Sequence, residues 1–599
     1  MAFVRPPLTA PGVYVQEVPS GNRTVVGVAT SITAFLGRTA RGPVDVPTSV
    51  TSFEDFVKLF GGLSRNHALT YAVEDFFLNG GTQAIIVRLF EGDTAPAVAT
   101  VERKAEDGFK PASDADLKKA QDALDTAKTA QASAQKDYDA AKEADKKLQA
   151  SDASNADKTK STKALKKLEE NLEKANVAVE EAQAELSELQ GTMQLNLVAA
   201  NPGTWANGMT YIVDTDGITD MVRSRFANPE WDAGDLFNLT LSVIGPDGRE
   251  MKEVYPSVSV IPEAGERYIG NLLQHKSLMA RLVDGDPPKT PQKGKDSEVL
   301  TVEMFTEGFE HLERVDMVNI VCIPPDDDVD GQTNPEVYTE AVAFCEKRRA
   351  ILVVDAPNSW EDDPGSVTAE TFAKDLGISA GADSARFAAV YFPRMMRRDP
   401  LRGGFPRRAP VCGAMAGIYS RTDSVKGVWS APAGYESGIV GAAGLSKTLT
   451  DVENGVLNQR GINCLRSFPA TGPIVWGART MRGADVLSDD FKYLQVRRVL
   501  DFIEVSLQRG TGWAVFENND EPLWAELRLS IGNFMADLFR QGAFAGGSAK
   551  DAFFVHCDAS TTTPNDQNLG IVNVVVGYAP LKPAEFVILY FQQIAGQAA

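Results

Sequence analysis

Between about residue 101 and residue 190 this chain cannot build a globular core. Of those 90 residues 36 are charged and 20 are alanine, and the aromatic residues are only Phe109 and Tyr138. The apolar positions nevertheless keep a strict register. Leu165, Leu168, Leu172, Ala175, Val179, Ala182, Leu186 and Leu189 follow one another at alternating spacings of 3 and 4, the seam of a coiled coil. Leu117, Ala120, Leu124, Ala127, Ala134, Tyr138, Ala141 and Leu148 repeat the period upstream, interrupted by Gln131 and Asp145. Ser151–Asp157, rich in capping and turn residues, lies between the two halves. The pattern predicts an antiparallel helical hairpin with arms of about 37 and 29 residues, roughly 55 and 43 Å long at 1.5 Å per residue. Such a hairpin returns the chain to its starting point, so it can be inserted into a domain without disturbing it.

Taken whole, the chain has the composition of an ordinary globular protein, with 43% hydrophobic and 24% charged residues. At 599 residues the length suggests about four domains, or three with an insertion. A net charge of -21 argues against nucleic-acid binding through a generally basic surface. No apolar run reaches the roughly 18 to 20 residues of a membrane-spanning helix, and Met1–Pro7 does not resemble a signal peptide. The expectation is a cytosolic product without membrane insertion. Cys322, Cys345, Cys412, Cys464 and Cys557 are scattered and read as reduced, buried side chains.

Residues 193 to 260 alternate strand patterns with turns, ending in Phe237–Ile244 and Gly245-Pro-Asp-Gly. From 312 to 393 strand-like runs (Val315–Ile323, Ala350–Asp355, Phe387–Phe392) alternate with helical ones (335–349, 368–378). This βαβαβ order predicts a parallel sheet buried on both faces. The fold class expected is therefore a multidomain α+β or α/β protein: an α/β core, a β-rich middle segment, the inserted hairpin and a C-terminal α/β domain.

A parallel sheet invites a search for a ligand site at its strand ends, but no phosphate-loop, nucleophile-elbow or zinc-protease motif is present. No cofactor is expected. Asp326, Asp328, Asp330 and Gly331 open like a calcium loop, yet the closing position holds Val337, with Glu336 one place early. Asp355 ends the second strand and reads as a cap more readily than as a catalytic acid. A hydrolase or metal-dependent enzyme using Asp326, Asp328 and Asp355 is the alternative function.

The two ends are more informative. Phe586–Phe591 is a continuous apolar strand after Pro580 and Pro583, and Pro11–Gly21 holds a short strand between Pro-Gly and Pro-Ser-Gly. Both could pair within their own subunit, or add to a neighbour's sheet.

These features resemble the sheath proteins of contractile phage tails and related injection systems. The resemblance rests on Pro11–Gly21, Phe35–Pro43, Thr51–Phe56, Phe60–Gly62, Tyr71–Gly81, Asn201–Asn207, Trp429–Pro432, Leu457–Asn463, Val475–Thr480 and Gly577–Phe586, in order along the chain. The hairpin is a departure from the family's common core. The resemblance implies a non-enzymatic subunit that polymerises as stacked hexameric rings around an inner tube protein. It also implies baseplate and tail terminator proteins as further partners, and assembly in the bacterial host cytoplasm. Carried onto this chain, the strand-exchanging arms are Gly12, Val13, Tyr14, Val15 and Val18 at one end. At the other they are Phe586, Val587, Ile588, Leu589, Tyr590 and Phe591. Candidate tube-facing cations are Lys492, Arg497, Arg498 and Arg509, on a helix expected from about Ser488 to Arg509.

The divisions expected are an N-terminal arm (1–22), a first part of the core (23–100), the hairpin (101–192) and a β-rich segment (193–300). An α/β domain (301–475), a tube-proximal domain (476–582) and a C-terminal arm (583–599) complete the chain.

Overall fold

The computed structural model describes residues 24–590 except 92–96, 103–113, 150–153, 191–193, 215, 227–235, 246–247, 284–292, 298 and 326–331. Its centre is an eight-stranded sheet in the order Gly472–Val475, Asn463–Phe468, Ala388–Phe392, Ile351–Asp355, Ile320–Cys322, Thr33–Gly37, Ala84–Arg88, Thr48–Val50. The six inner strands run parallel, and each edge strand is antiparallel to its neighbour. The strand-helix alternation read between 312 and 393 forms the middle of this sheet. The sheet extends further than that reading, because Thr33–Gly37 and Ala84–Arg88 from the N-terminal part join it directly.

Both faces are covered, as continuous apolar strands require. Leu36, Val87, Val321, Leu352, Val354 and Val390 face helices Val302–Glu313, Pro335–Arg348 and Ala369–Leu376. Phe35, Ile86, Ile320, Val353 and Tyr391 face helices Phe53–Phe60, Ala68–Leu78 and Cys412–Lys426. The last two of these helices approach unusually closely. A Cβ on Gly413 would land on the Ala72 backbone carbonyl, and one on Gly417 on the carbonyl of Phe76. Two glycines four residues apart on one helix face create that contact.

Several of the sequence motifs mark local structure. Ser52 caps helix Phe53–Phe60 by accepting from the Asp55 N–H, and Gly61 ends it at φ +94°. The segments 35–43 and 201–207 meet at Arg88, which is fully buried. Its guanidinium donates to the carbonyls of Thr39 (3.3 Å), Gly42 (2.8 Å) and Pro202 (2.8 Å).

Residues 194–282, together with strand Ala97–Glu102, build a smaller β unit of two three-stranded sheets, with Leu197, Trp205, Phe237, Leu239, Leu241 and Leu273 in its core. The hairpin emerges here, between the antiparallel strands Ala97–Glu102 and Gln194–Ala199. Its helices are Asp114–Gln149 and Asn155–Gln190, 36 residues each. That makes the second arm seven residues longer than expected. Ser154 accounts for the early start, since its hydroxyl caps the helix by accepting from the Asp157 N–H. Between Ala120 and Ala182 the heptad positions are the less exposed ones on both helices. Ala120 and Leu124 pack on Val179 and Ala182. Gln131, which breaks the apolar seam, donates across it to Asn176 Oδ1 at 2.9 Å.

Candidate assembly site

Beyond the central sheet, helices Leu494–Gly510 and Glu521–Arg540 pack on a two-stranded antiparallel sheet, Phe553–His556 with Val575–Tyr578. Val499, Ile503, Ile531, Phe534, Met535 and Leu538 form the core of this unit. Two strands alone are a marginal sheet in water, and the outward-facing Phe554 and Val575 are exposed. Both outer edges of this pair are without a ladder partner among the described residues.

The segment after Val575–Tyr578 has two sharply different halves. Glu585 is tied to the core, because the Arg479 guanidinium donates from Nε to Oε1 (2.8 Å) and from Nη2 to Oε2 (2.6 Å). The side chain of Arg479 is fully buried. Its Nη1 donates to the carbonyls of Asn458 and Gly483 and to Asp485 Oδ1. From the next residue onward the chain is outside. Phe586, Val587, Ile588, Leu589 and Tyr590 are 70 to 89% exposed and form no strand. The strand expected over 586–591 is thus not formed over 586–590 within the single chain, and Glu585, inside the expected arm of 583–599, is held against the core. Phe591 and the N-terminal arm residues Gly12 to Val18 lie outside the described residues.

Two of the four candidate tube-facing cations are internal. Arg498 is buried and grips Asp423 with both Nη atoms (2.8 and 2.6 Å). Thr30 completes that site, its hydroxyl donating to Asp423 and its carbonyl accepting from Arg498. Arg497 is buried against Phe387 and Phe491 and donates to Asp501 at 2.7 Å. Burial pushes the Asp501 carboxyl up to about 6 in spite of that arginine. Arg509 reaches Asp316 (2.9 Å) and Arg349 reaches Glu504 (2.9 Å), both across to the central domain. The helix starts at Leu494, so Lys492 precedes it and pairs with Asp485 at 2.7 Å. The apparent basic stripe is thus largely a clasp holding this helix to the central sheet. Charge alone could not reveal it, because the acidic partners lie up to 193 residues away in sequence.

Asp355 sits at the end of its strand and serves as a cap. Its Oδ1 accepts from the backbone N–H groups of Val411 (2.5 Å) and Cys412 (3.3 Å), at the start of helix Cys412–Lys426. The partners needed for the alternative enzyme, Asp326 and Asp328, lie outside the described residues. Among the described residues no group of three or more His, Cys, Asp or Glu side chains is placed to hold a metal ion. Nor is any helix long and apolar enough to cross a membrane. All five cysteines are buried and unpaired in disulfides.

The chain thus combines a central α/β sheet, a docked C-terminal unit with a two-stranded sheet, and an exposed apolar tail. Residues 300–481 match the phage tail sheath protein central domain, and residues 487–594 the phage tail sheath C-terminal domain. The chain thus carries both phage tail sheath domains, over just under half of its length, and these are domains of a family of structural proteins. The tail sheath protein of Enterobacteria phage T4 is 23% identical over 330 residues, covering 53% of this chain and 45% of that protein. The tail sheath protein of Vibrio phage KVP40 is 28% identical over 189 residues, covering 31% of this chain and 26% of its own length. Curated relatives are thus matched over less than two thirds of their own length. The fold is similar to that of the anti-feeding prophage helical sheath in its contracted state. That match has a TM-score of 0.52 at 20% identity and covers 98% of this chain and 99% of that one.

Proposed function

We propose that this protein is the repeating subunit of a contractile sheath, stacked as hexameric rings around an inner tube and joined by exchange of its terminal segments. The observation that carries this reading is the pairing of an open sheet with an exposed tail. Five consecutive large apolar side chains, each at least 70% exposed, follow a sheet whose two edges have no ladder partner among the described residues. Buried in a neighbour, those side chains would contribute roughly 7 to 15 kcal/mol before ordering costs are subtracted. Main-chain hydrogen bonds would fill the open edges at the same time. Left unpaired, such a tail is an aggregation hazard.

In this reading the N-terminal arm, Gly12 to Val18, fills the second edge. The end rings of any such polymer keep arms or sheets without partners, and baseplate and terminator proteins bind there. The work of driving the tube through an envelope comes from a difference in subunit contacts between two arrangements, with no chemical step. Assembly takes place in the host cytoplasm, and the hairpin points away from the tube.

The test is a chain ending at Glu585. It should fold, stay monomeric and form no tubes by negative-stain electron microscopy at concentrations where the full chain polymerises. Tubes from the shortened chain would overturn the exchange model.

A further inference from the structure

We infer that the Arg479–Glu585 pair is a positioning device for assembly: it fixes the point at which the C-terminal arm leaves its own subunit and ties that point mechanically to the central sheet. This rests on the arm-exchange reading above.

Three segments distant in sequence, 457–463, 475–480 and 577–586, converge on this one pair. Arg479 is held from behind by Asn463, which accepts from the Arg479 N–H through Oδ1 (2.6 Å) and donates through Nδ2 to the Arg479 carbonyl (2.8 Å). The same Nδ2 also donates to the Val390 carbonyl in the neighbouring strand of the central sheet (3.1 Å). In front, the planar guanidinium meets Glu585 in the two-pronged geometry that gives such pairs their directionality. Tyr493 donates a further hydrogen bond to Glu585 at 3.3 Å, and Lys492 lies 3.9 Å away. A force on Phe586 therefore passes through Glu585, Arg479 and Asn463 into the sheet.

The site of this pair is what assigns it a role beyond folding. The last backbone hydrogen bonds upstream belong to Ala579, whose N–H donates to Ala552 and whose carbonyl accepts from Ala545. With Glu585 released, the free tail would begin at Leu581 and gain Leu581 to Glu585. Each additional residue that a neighbour must order costs association roughly five- to thirtyfold. The pair thus keeps the arm short, so that the neighbour orders little beyond the residues it buries.

Three variants of the full chain test this. Glu585→Gln removes the charge pairing. Insertion of Gly-Gly-Ser between Glu585 and Phe586 leaves the pair intact and moves the arm out by about 10 Å. Truncation after Glu585 removes the arm alone. The expected result is that Glu585→Gln and the insertion each raise the critical concentration for tube formation at least tenfold, while truncation abolishes tubes. The insertion should leave the monomer's melting temperature unchanged, which separates positioning from stability. If truncation abolishes tubes but the insertion polymerises like the unmodified chain, the positioning role is overturned and arm exchange stands. If the truncated chain still polymerises, the exchange reading itself fails. Assembly of Glu585→Gln at the unmodified concentration would overturn the role of the ion pair.

Discussion

Replacing Asp423 by alanine should detach helix Leu494–Gly510 from the central domain while leaving the eight-stranded sheet folded. Asp423 and Arg498 are 5 and 3% exposed, so the pair is almost fully removed from water. Removing one partner leaves a guanidinium that cannot lose its proton and, among the described residues, is left with the Thr30 carbonyl and the Tyr419 ring, 4.9 Å away. Breaking a buried pair in this way costs about 3 to 5 kcal/mol. The loss falls locally, because the unit is held to the central domain by this pair together with Arg349–Glu504, Arg497 over the Phe387 ring and Arg509–Asp316. Hydrogen exchange read by mass spectrometry resolves the helix from the sheet. Amides of 494–510 should exchange roughly 140- to 3,700-fold faster, at 1.4 kcal/mol per tenfold, whereas those of Ile351–Asp355 should barely change. Pairing Asp423→Ala with Arg498→Met should recover much of the protection, since an apolar pair no longer strands a charge. A change in the helix amides smaller than threefold, or a double variant worse than the sum of the singles, would refute the claim that this pair is the clasp.

Gly413→Ala should lower the melting temperature and cost about 1 to 3 kcal/mol or more in chemical denaturation, because the new methyl meets rigid backbone at Ala72. Burial holds the His67 imidazole down at about 4, with Arg38 and Arg88 adding to the effect and Asp296 opposing it. A folded-state value below the unfolded one means that stability is lost as pH falls from about 6.5 through 4. His67→Gln should therefore gain stability relative to the unmodified chain over that window, and parallel melting curves at pH 7 and pH 4.5 would contradict this. Joining Glu102 to Gln194 through an Asn-Gly turn removes the hairpin and should leave the melting profile of the remaining domains and tube formation intact. Failure of that shortened chain to form tubes would assign the hairpin a part in assembly.

Period carried the elements whose environment is local. Between Ala120 and Ala182 the heptad seam marks the less exposed face of both helices, including polar Gln131, because a two-helix rod has no other surface to bury. The parallel strands were legible as well, since Ile351–Asp355 and Ala388–Phe392 are apolar on both faces and leave no alternative to a covered sheet. What was not legible is pairing at a distance. Arg497 and Arg498 read as a surface stripe because nothing nearby in sequence shows that Asp423 or Phe387 will close over them. The Gly413 to Gly417 spacing, with Ala414 and Ala416 around it, did carry a signal for close helix approach, yet its partner helix lies more than 300 residues upstream. The exposed tail was visible as an apolar run, but the point where it leaves the core depended on Glu585 meeting Arg479, a contact between two segments 106 residues apart.

The strand pair Ala97–Glu102 and Gln194–Ala199 also acts as a socket. It presents two chain ends at the spacing of adjacent strands, about 5 Å, whatever lies beyond them. A sheath built from this subunit would accept any insert whose own ends close to that spacing, and would display one copy per subunit at a regular interval along the polymer. Length, charge and chemistry of the displayed element could then change without altering the lattice that carries it.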